Sequence, residues 1–440
     1  MRMNLLDKTE CRRIADLALS AAKADHTLVS ISDENGGTAR IANNQIVQNV
    51  ESHRLVLQIE SAFGLRRGAA VTTELSDESI RETVARSEAV AKVVPEDPEY
   101  LPPLEPRRYP VLASWREETA AAGAEARAAA ARTTISAARE AGMTAAGIVS
   151  SSASAVCIAA NSGLFAFERR TRAEFSLTAT AADSSGWVQC ASRSFDDLDI
   201  AVQSRIAIDK ARRSAAPREL PAGKYTVILE PAAVAGLIGP LFGALSARSY
   251  QRGTSPLRNR FGEAIVDERL TLRNRPDHPQ LLGDAFDTQG LASDFRTWID
   301  RGRWLQMAYD RFTARQAGVA PSYALDAPHL SGEEGGVGGV EDLIASTERG
   351  ILVTNFWYIR SVNATDLTLT GMTRDGTFLV EDGKIAGGLV NFRWHDSPLR
   401  ALRAVEAFTA PLDAITAERD KMMLPAMRIR DFNFSSVTRF

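Results

Sequence analysis

Five histidines, three cysteines and one short basic-aromatic run are the groups in this sequence with the means to do chemistry. The histidines are His26, His53, His278, His329 and His395. No two lie within five residues of each other, so no helix can present two imidazoles to one metal ion as HExxH or HExxxH would. His278 and His329 are expected in proline-flanked loops, and His395 sits in "RWHDS". They either converge on a metal or are ordinary surface histidines. Cys11, Cys157 and Cys190 are odd in number and widely spaced, with no CxxC. They read as buried structural thiols in a reducing compartment. A serine nucleophile would want a GxSxG elbow, and none is present. The glycine-rich "SGEEGGVGGVED" lacks the Lys-Ser/Thr of a P-loop, and Glu333 and Glu334 would repel phosphate, so it reads as a flexible linker.

The basic-aromatic run is "ARSYQRG", with Arg248, Tyr250 and Arg252. It follows a strand, "KYTVILE", and an uncharged segment, "VAGLIGPLFGAL". These three side chains are candidates to line a peptide cleft. Equally, they complement the macrodipole at a helix end.

Several elements must position such groups. Asp7 and Ile14, Leu17, Ala18 and Ala21 mark an amphipathic, capped helix. A meander follows, with a turn expected at Asn35, Gly36 and Gly37, and then a helix capped by Ser76. Six prolines in Pro95–Pro110 exclude regular structure there. "REETAAAGAEARAAAARTTISAAREAG" has the propensity of one long helix with Arg and Glu on a solvated face. Strands and a helix lead to a second boundary near Pro217. The remainder is strand-dense, with turns at Asp375-Gly376 and Asp382-Gly383. In "NFWYIR", either the aromatics and Arg360 form a contact surface, or Phe356 and Tyr358 face the core while Trp357 covers a sheet.

The chain is therefore expected to be α+β in three parts: residues 1–95, an N-terminal helix and antiparallel-sheet domain; 106–217, a middle α+β domain; and 221–440, a strand-rich C-terminal domain. Its 440 residues exceed one ordinary core. A net charge of −3, from 52 basic and 55 acidic residues, excludes global attraction to nucleic acid or anionic membranes. The apolar run around Gly236 is shorter than the roughly 20 residues of a membrane span. With no signal-peptide pattern, a cytoplasmic location is expected.

Taken in order, "RIANNQIVQNVES", "VLQIESAFGLRRGAAVTTELSDESIRETVARSEAVAKVVPEDP", "YQRGTS", "LGDAFDTQGLAS", "GILVTNFWYIRSVNATDLTLTG" and "GTFLVEDGKI" resemble the TldD/PmbA family. The resemblance implies a three-part α+β fold and peptide hydrolysis inside the cell. In the TldD branch it implies zinc held by an HExxxH helix and a late cysteine, with the glutamate as general base. Here the two histidine positions fall on Ile238 and Gly243 and the glutamate position on Gly239, and no cysteine follows Cys190. That pattern is similar to the PmbA branch, also called TldE. It implies no metal and no catalytic residue in this chain, with zinc in a TldD-type partner that pairs as a heterodimer. A homodimeric, free-standing hydrolase using His278, His329 or His395 is the alternative. Gly239 and Gly243 are expected to mark a tightly packed helix face.

Overall fold

A computed structural model describes residues 4–332, 336–416 and 419–438. The first helix, α1 (Lys8–Ala21), starts at Asp7, whose carboxylate accepts the Glu10 amide. Three strands follow, β1 (His26–Ala42), β2 (Gln45–Phe63) and β3 (Arg66–Thr72), then α2 (Asp77–Val93), capped by Ser76. The expected turn at Asn35–Gly37 does not exist. β1 runs straight through it, and the chain reverses at Asn43 and Asn44, both left-handed. The expected long helix is two, α3 (Glu117–Ala121) and α4 (Ala124–Glu140), separated at Ala122 and Gly123.

The arginines of α4 are not all solvated. Arg127 is fully buried and donates to the Ala122 carbonyl and the Ser151 hydroxyl. A Cβ on Gly37 would lie 2.2 Å from its Nη2. Gly36 and Gly37 therefore stand in mid-strand, and Gly37 makes room for a guanidinium.

Next come β4 (Thr144–Ala160), β5 (Phe165–Thr180), β6 (Ser185–Ser192) and α5 (Ile200–Arg213). The first six strands form one antiparallel sheet ordered β3-β2-β1-β4-β5-β6. Its helix-covered face holds two cores, one around Ile14, Ile31 and Ile80 and one around Ala131, Phe175 and Ala207. Cys11 and Cys157 sit in the first of these. Their mutual hydrogen bond, and then burial, hold the Cys157 thiol far above its ordinary value. Burial takes Cys190 to about 12. Thiols in this state are protonated and inert.

The rest of the chain builds two more sheets. One is ten-stranded, with its main path running Phe356–Asn363, Thr368–Thr373, Phe392–Asp396, Met427–Val437, β7 (Gly223–Leu229), Arg349–Val353, Thr377–Glu381 and Lys384–Gly388. The other is six-stranded, with Leu270–Asn274 and Pro328–Gly332 at its centre. The helix α6 (Pro231–Ala244) lies between them in the largest core, and α7 (Ala247–Gln251) follows it. Glu333 and Glu334 lie outside the described residues. Past them, Gly336–Val337 pairs with Val405–Thr409, and Gly339 caps a helix at Val340–Ala345, so this part is structured rather than a linker. Among the described residues, no helix is long and apolar enough to cross a membrane.

Candidate functional site

The helix α6 is apolar on every side, and most of it is enclosed. Ten of its 14 residues are buried, and Pro231 in its first turn suits the φ a helix start needs. At the two positions where the resemblance places histidine ligands stand Ile238, 2% exposed, and exposed Gly243, and at the general-base position stands buried Gly239. An alkyl chain and two hydrogens carry no lone pair, whereas zinc takes sulfur, nitrogen or oxygen donors. The residues present do not fit the metal. Among the described residues, no group of three or more His, Cys, Asp or Glu lies close enough to hold an ion.

Gly243 of α6 departs from expectation, while Gly239 is buried. A Cβ on Gly243 would meet nothing within 4 Å, so this position is open, not tightly packed. The close approach is at Gly236, where a Cβ would lie 3.1 Å from Ile359 Cδ1 and 3.5 Å from Phe356 Cβ. Gly243→Ala should therefore raise stability by up to about 1 kcal/mol, through helix propensity alone. Gly236→Leu should lower it by about 1–3 kcal/mol through overpacking. Urea midpoints check both, and a Gly243→Ala midpoint at or below wild type would contradict the open reading.

Chemistry-bearing side chains gather elsewhere, where the bare face of the first sheet meets the C-terminal unit. Ile158 and Ala166 pack there on Ala285 and Phe286. Beside this seam open two adjoining hollows of about 460 and about 390 Å³, sharing Ser30, Gln58 and Thr288. Together they make a groove. The proline-rich segment Pro95–Pro110 forms a strap here and supplies Glu99 and Tyr100. Burial, with Glu60 nearby, pushes the Tyr100 phenol up to about 12.

At the inner end, Asp284 holds two arginines of the first sheet unit. It pairs with Arg170 and lies 3.4 Å from Arg193, which also donates to the Gly283 carbonyl at 2.8 Å. Burial pulls the Arg193 pKa down. Glu168 accepts the Ala285 amide at 3.0 Å and so ties β5 to the same turn. Behind it, burial raises Asp326 to about 6, although the Asp284 amide donates to its Oδ2 at 3.2 Å. Its Oδ1 is buried without a hydrogen-bond partner. Burial, then Asp326, drives the neighbouring Tyr323 phenol far upward. The groove thus offers fixed charges of both signs and protonated phenols, a lining that suits a polar, zwitterionic chain better than a polyanion.

Of the three residues singled out in the sequence, Arg248 lines this groove. It is engaged there with Glu99 at 2.7 Å and Asp310 at 2.9 Å, fastening the strap to the C-terminal unit. Tyr250 sets its ring edge against Trp304, 5.9 Å between centroids, as part of the core. Arg252 is exposed, 3.9 Å from Glu99. The three histidines do not converge. His278 and His329 meet, with ring centroids 5.4 Å apart, and burial lowers both pKa values. His329 lies on a strand rather than in a loop, and His395 stands on the separate strand Phe392–Asp396 of the other sheet. Sequence reasoning passed over Glu168, Arg170, Arg193, Tyr323 and Asp326. Its one available signal was the turn "LGDAFDTQGLAS", which contains Asp284.

Comparison with known proteins gives a consistent picture. A family profile described as PmbA/TldA metallopeptidase central domain matches residues 117–215, and its C-terminal-domain counterpart matches 222–436. Metalloprotease PmbA of Escherichia coli O157:H7 is 28% identical over 196 residues, 42% of this chain and 42% of that protein. A metalloprotease of Archaeoglobus fulgidus is 26% identical over 113 residues, 24% of this chain and 27% of that protein. The matched segments span less than half the length of these curated relatives. Among solved structures, TldE from Thermococcus kodakarensis superposes with a TM-score of 0.87 at 19% identity, covering 96% of this chain and 99% of that one. A proposed modulator of a DNA gyrase from Thermotoga maritima gives 0.86 at 17% identity, covering 96% and 99%. At such identities the likeness establishes the fold.

Proposed function

Because this chain belongs to the PmbA/TldD metallopeptidase family, we propose that it is the non-catalytic, TldE-like member of a pair that cleaves peptides or unfolded segments in the cytoplasm. The observation that carries this reading is the donor-free face of α6, with Ile238, Gly239 and Gly243. Zinc and the hydrolytic step belong to a TldD-type partner. This chain contributes a scaffold and the groove beside Arg248 and Asp284, where a peptide's charged termini and side chains find partners of either sign.

Purified without chelator, the chain alone should carry less than stoichiometric zinc and leave an unstructured peptide intact. Mixed with the zinc-bearing family member of the same organism, it should yield a complex that cuts the peptide and stops when a chelator is added. Robust cleavage by the chain alone, reproduced across independent preparations, would overturn the assignment.

A second reading, a free-standing and homodimeric hydrolase, draws on the meeting of His278 and His329, two imidazoles kept neutral by burial. It requires cleavage by the isolated chain that is lost in His329→Gln.

A further inference from the structure

The strand Phe356–Asn363 is the outermost of the ten-stranded sheet, with no strand on its far side among the described residues. Its pairing with Thr368–Thr373 is irregular between Trp357 and Arg360. Within that irregularity Tyr358 takes φ +55°, a left-handed conformation that is costly for a bulky residue. The consequence is visible in the burial. Phe356 and Ile359 turn inward against α6 at Gly236. Trp357 and Tyr358, consecutive in sequence, both turn outward, 39% and 46% exposed, with rings 5.6 Å apart. Of the two sequence readings of "NFWYIR", the inward Tyr358 is the one the structure corrects: the bulge reverses its direction. Val362, 54% exposed, extends the apolar surface.

Two guanidinium groups lie on these rings. Arg374 is 4.3 Å from the Trp357 ring centre, and Arg360 is 4.1 Å from that of Tyr358. Arg374 also pairs with buried Asp375, and Arg360 donates to the Ile359 carbonyl. Sheet edges are usually blunted by lysine, proline or a bulge that turns the edge away. Here the bulge instead displays tryptophan, tyrosine and arginine, the residue types that dominate interface energetics.

The geometry points to this edge as the docking surface for an acidic, extended segment of a second, non-identical chain, the zinc-bearing partner of the proposed function, on which this inference rests. Backbone pairing would satisfy the open edge, apolar side chains would cover the two rings, and carboxylates would meet Arg360 and Arg374. A second copy of this chain is a poorer occupant. Edge-to-edge pairing across a two-fold axis would bring each arginine pair toward its own counterpart, and like charges brought together oppose docking. Because the inner side of the same strand packs on α6, docking would also brace the helix at the centre of the C-terminal core.

The test is a titration of the full chain with the zinc-bearing family member from the same organism, read by calorimetry. Two paired variants are compared with wild type: Trp357→Ala with Tyr358→Asn, the asparagine chosen because it tolerates left-handed backbone, and Arg360→Glu with Arg374→Glu. Each should weaken binding about 30-fold or more, as loss of hot-spot residues does. Val111→Asp, at a fully exposed residue just past the proline strap, should leave binding unchanged. A complex that forms with wild-type affinity in both paired variants overturns the surface and leaves the functional reading standing. Failure of the wild-type chain to bind the zinc-bearing protein overturns both. Self-association of the chain alone that both variants abolish overturns the choice of a non-identical partner.

Discussion

Asp284→Ala should destabilise the seam between the first sheet and the C-terminal unit by about 2–3 kcal/mol. Removing one partner of a buried ion pair typically costs about 3–5 kcal/mol, because the other charge is left without compensation. The lower figure is appropriate here because Asp284 and Arg170 are each about a third exposed, and water screens part of the loss. Arg193 makes the effect large all the same. Its side chain is 9% exposed, burial already disfavours its charge, and Arg170 is close enough to disfavour it further. Without Asp284, Arg170 and Arg193, two cations of the first sheet unit, would be left close together with Glu168 as the remaining nearby anion. Asp284→Asn keeps the shape and loses the charge, so it should cost nearly as much. Combining it with Arg170→Met should recover part of the loss, since the repulsion then disappears. Hydrogen exchange is the suitable readout, because the two units need not unfold together. Amides of β5 and β6 and of the 283–293 turn should lose protection while those of α1 stay protected. Unchanged exchange in Asp284→Ala would show that apolar packing at Phe286 alone holds the seam.

A second large effect is expected from pH, through Asp326. Burial raises its pKa from 3.8 to about 6. The sign follows from linkage. A group whose folded pKa is raised stabilises the fold fully below its unfolded pKa, and that contribution is lost as pH rises through the folded value. The change should therefore unfold between about pH 4 and just above pH 6. At roughly 1.4 kcal/mol per unit, a raise of about two units corresponds to about 3 kcal/mol. Asp326→Asn removes the titration while keeping an oxygen to accept the Asp284 amide. It should match wild type near pH 4 and exceed it at pH 8 by up to about 3 kcal/mol. Stability curves of the two proteins that stay parallel from pH 4 to pH 8 would show that Asp326 is ionised throughout. The groove should respond in the same window, since ionised Asp326 adds a negative charge behind Asp284 and Tyr323.

Much of the architecture was legible because its signals are local. Asp7 and Ser76 announce their helices by their own side chains, which bond backbone amides three residues on. β7 and the apolar α6 follow from β-branched alternation and from an uncharged run. The family order of the segments, and the lack of any metal donor at Ile238, Gly239 and Gly243, are likewise properties of the sequence by itself.

What only the tertiary structure decided depends on groups that meet across long separations. Asn35-Gly36-Gly37 has the composition of a turn, yet Gly37 lies in mid-strand because Arg127, ninety residues on, needs its missing side chain. The break at Ala122–Gly123 interrupts a run of good helix formers at the carbonyl to which Arg127 and Ser151 both donate. The direction of Tyr358 follows from a bulge in its pairing with the next strand, which no alternation in "NFWYIR" reveals. The groove is the extreme case. Arg170, Arg193 and Asp326 are unremarked in sequence, Asp284 is signalled only by its turn, and all four acquire their meaning only when the sheet unit docks on the C-terminal unit. Burial lowers the Arg193 pKa and raises that of Asp326, and that burial is created by the docking rather than carried by any segment of the chain.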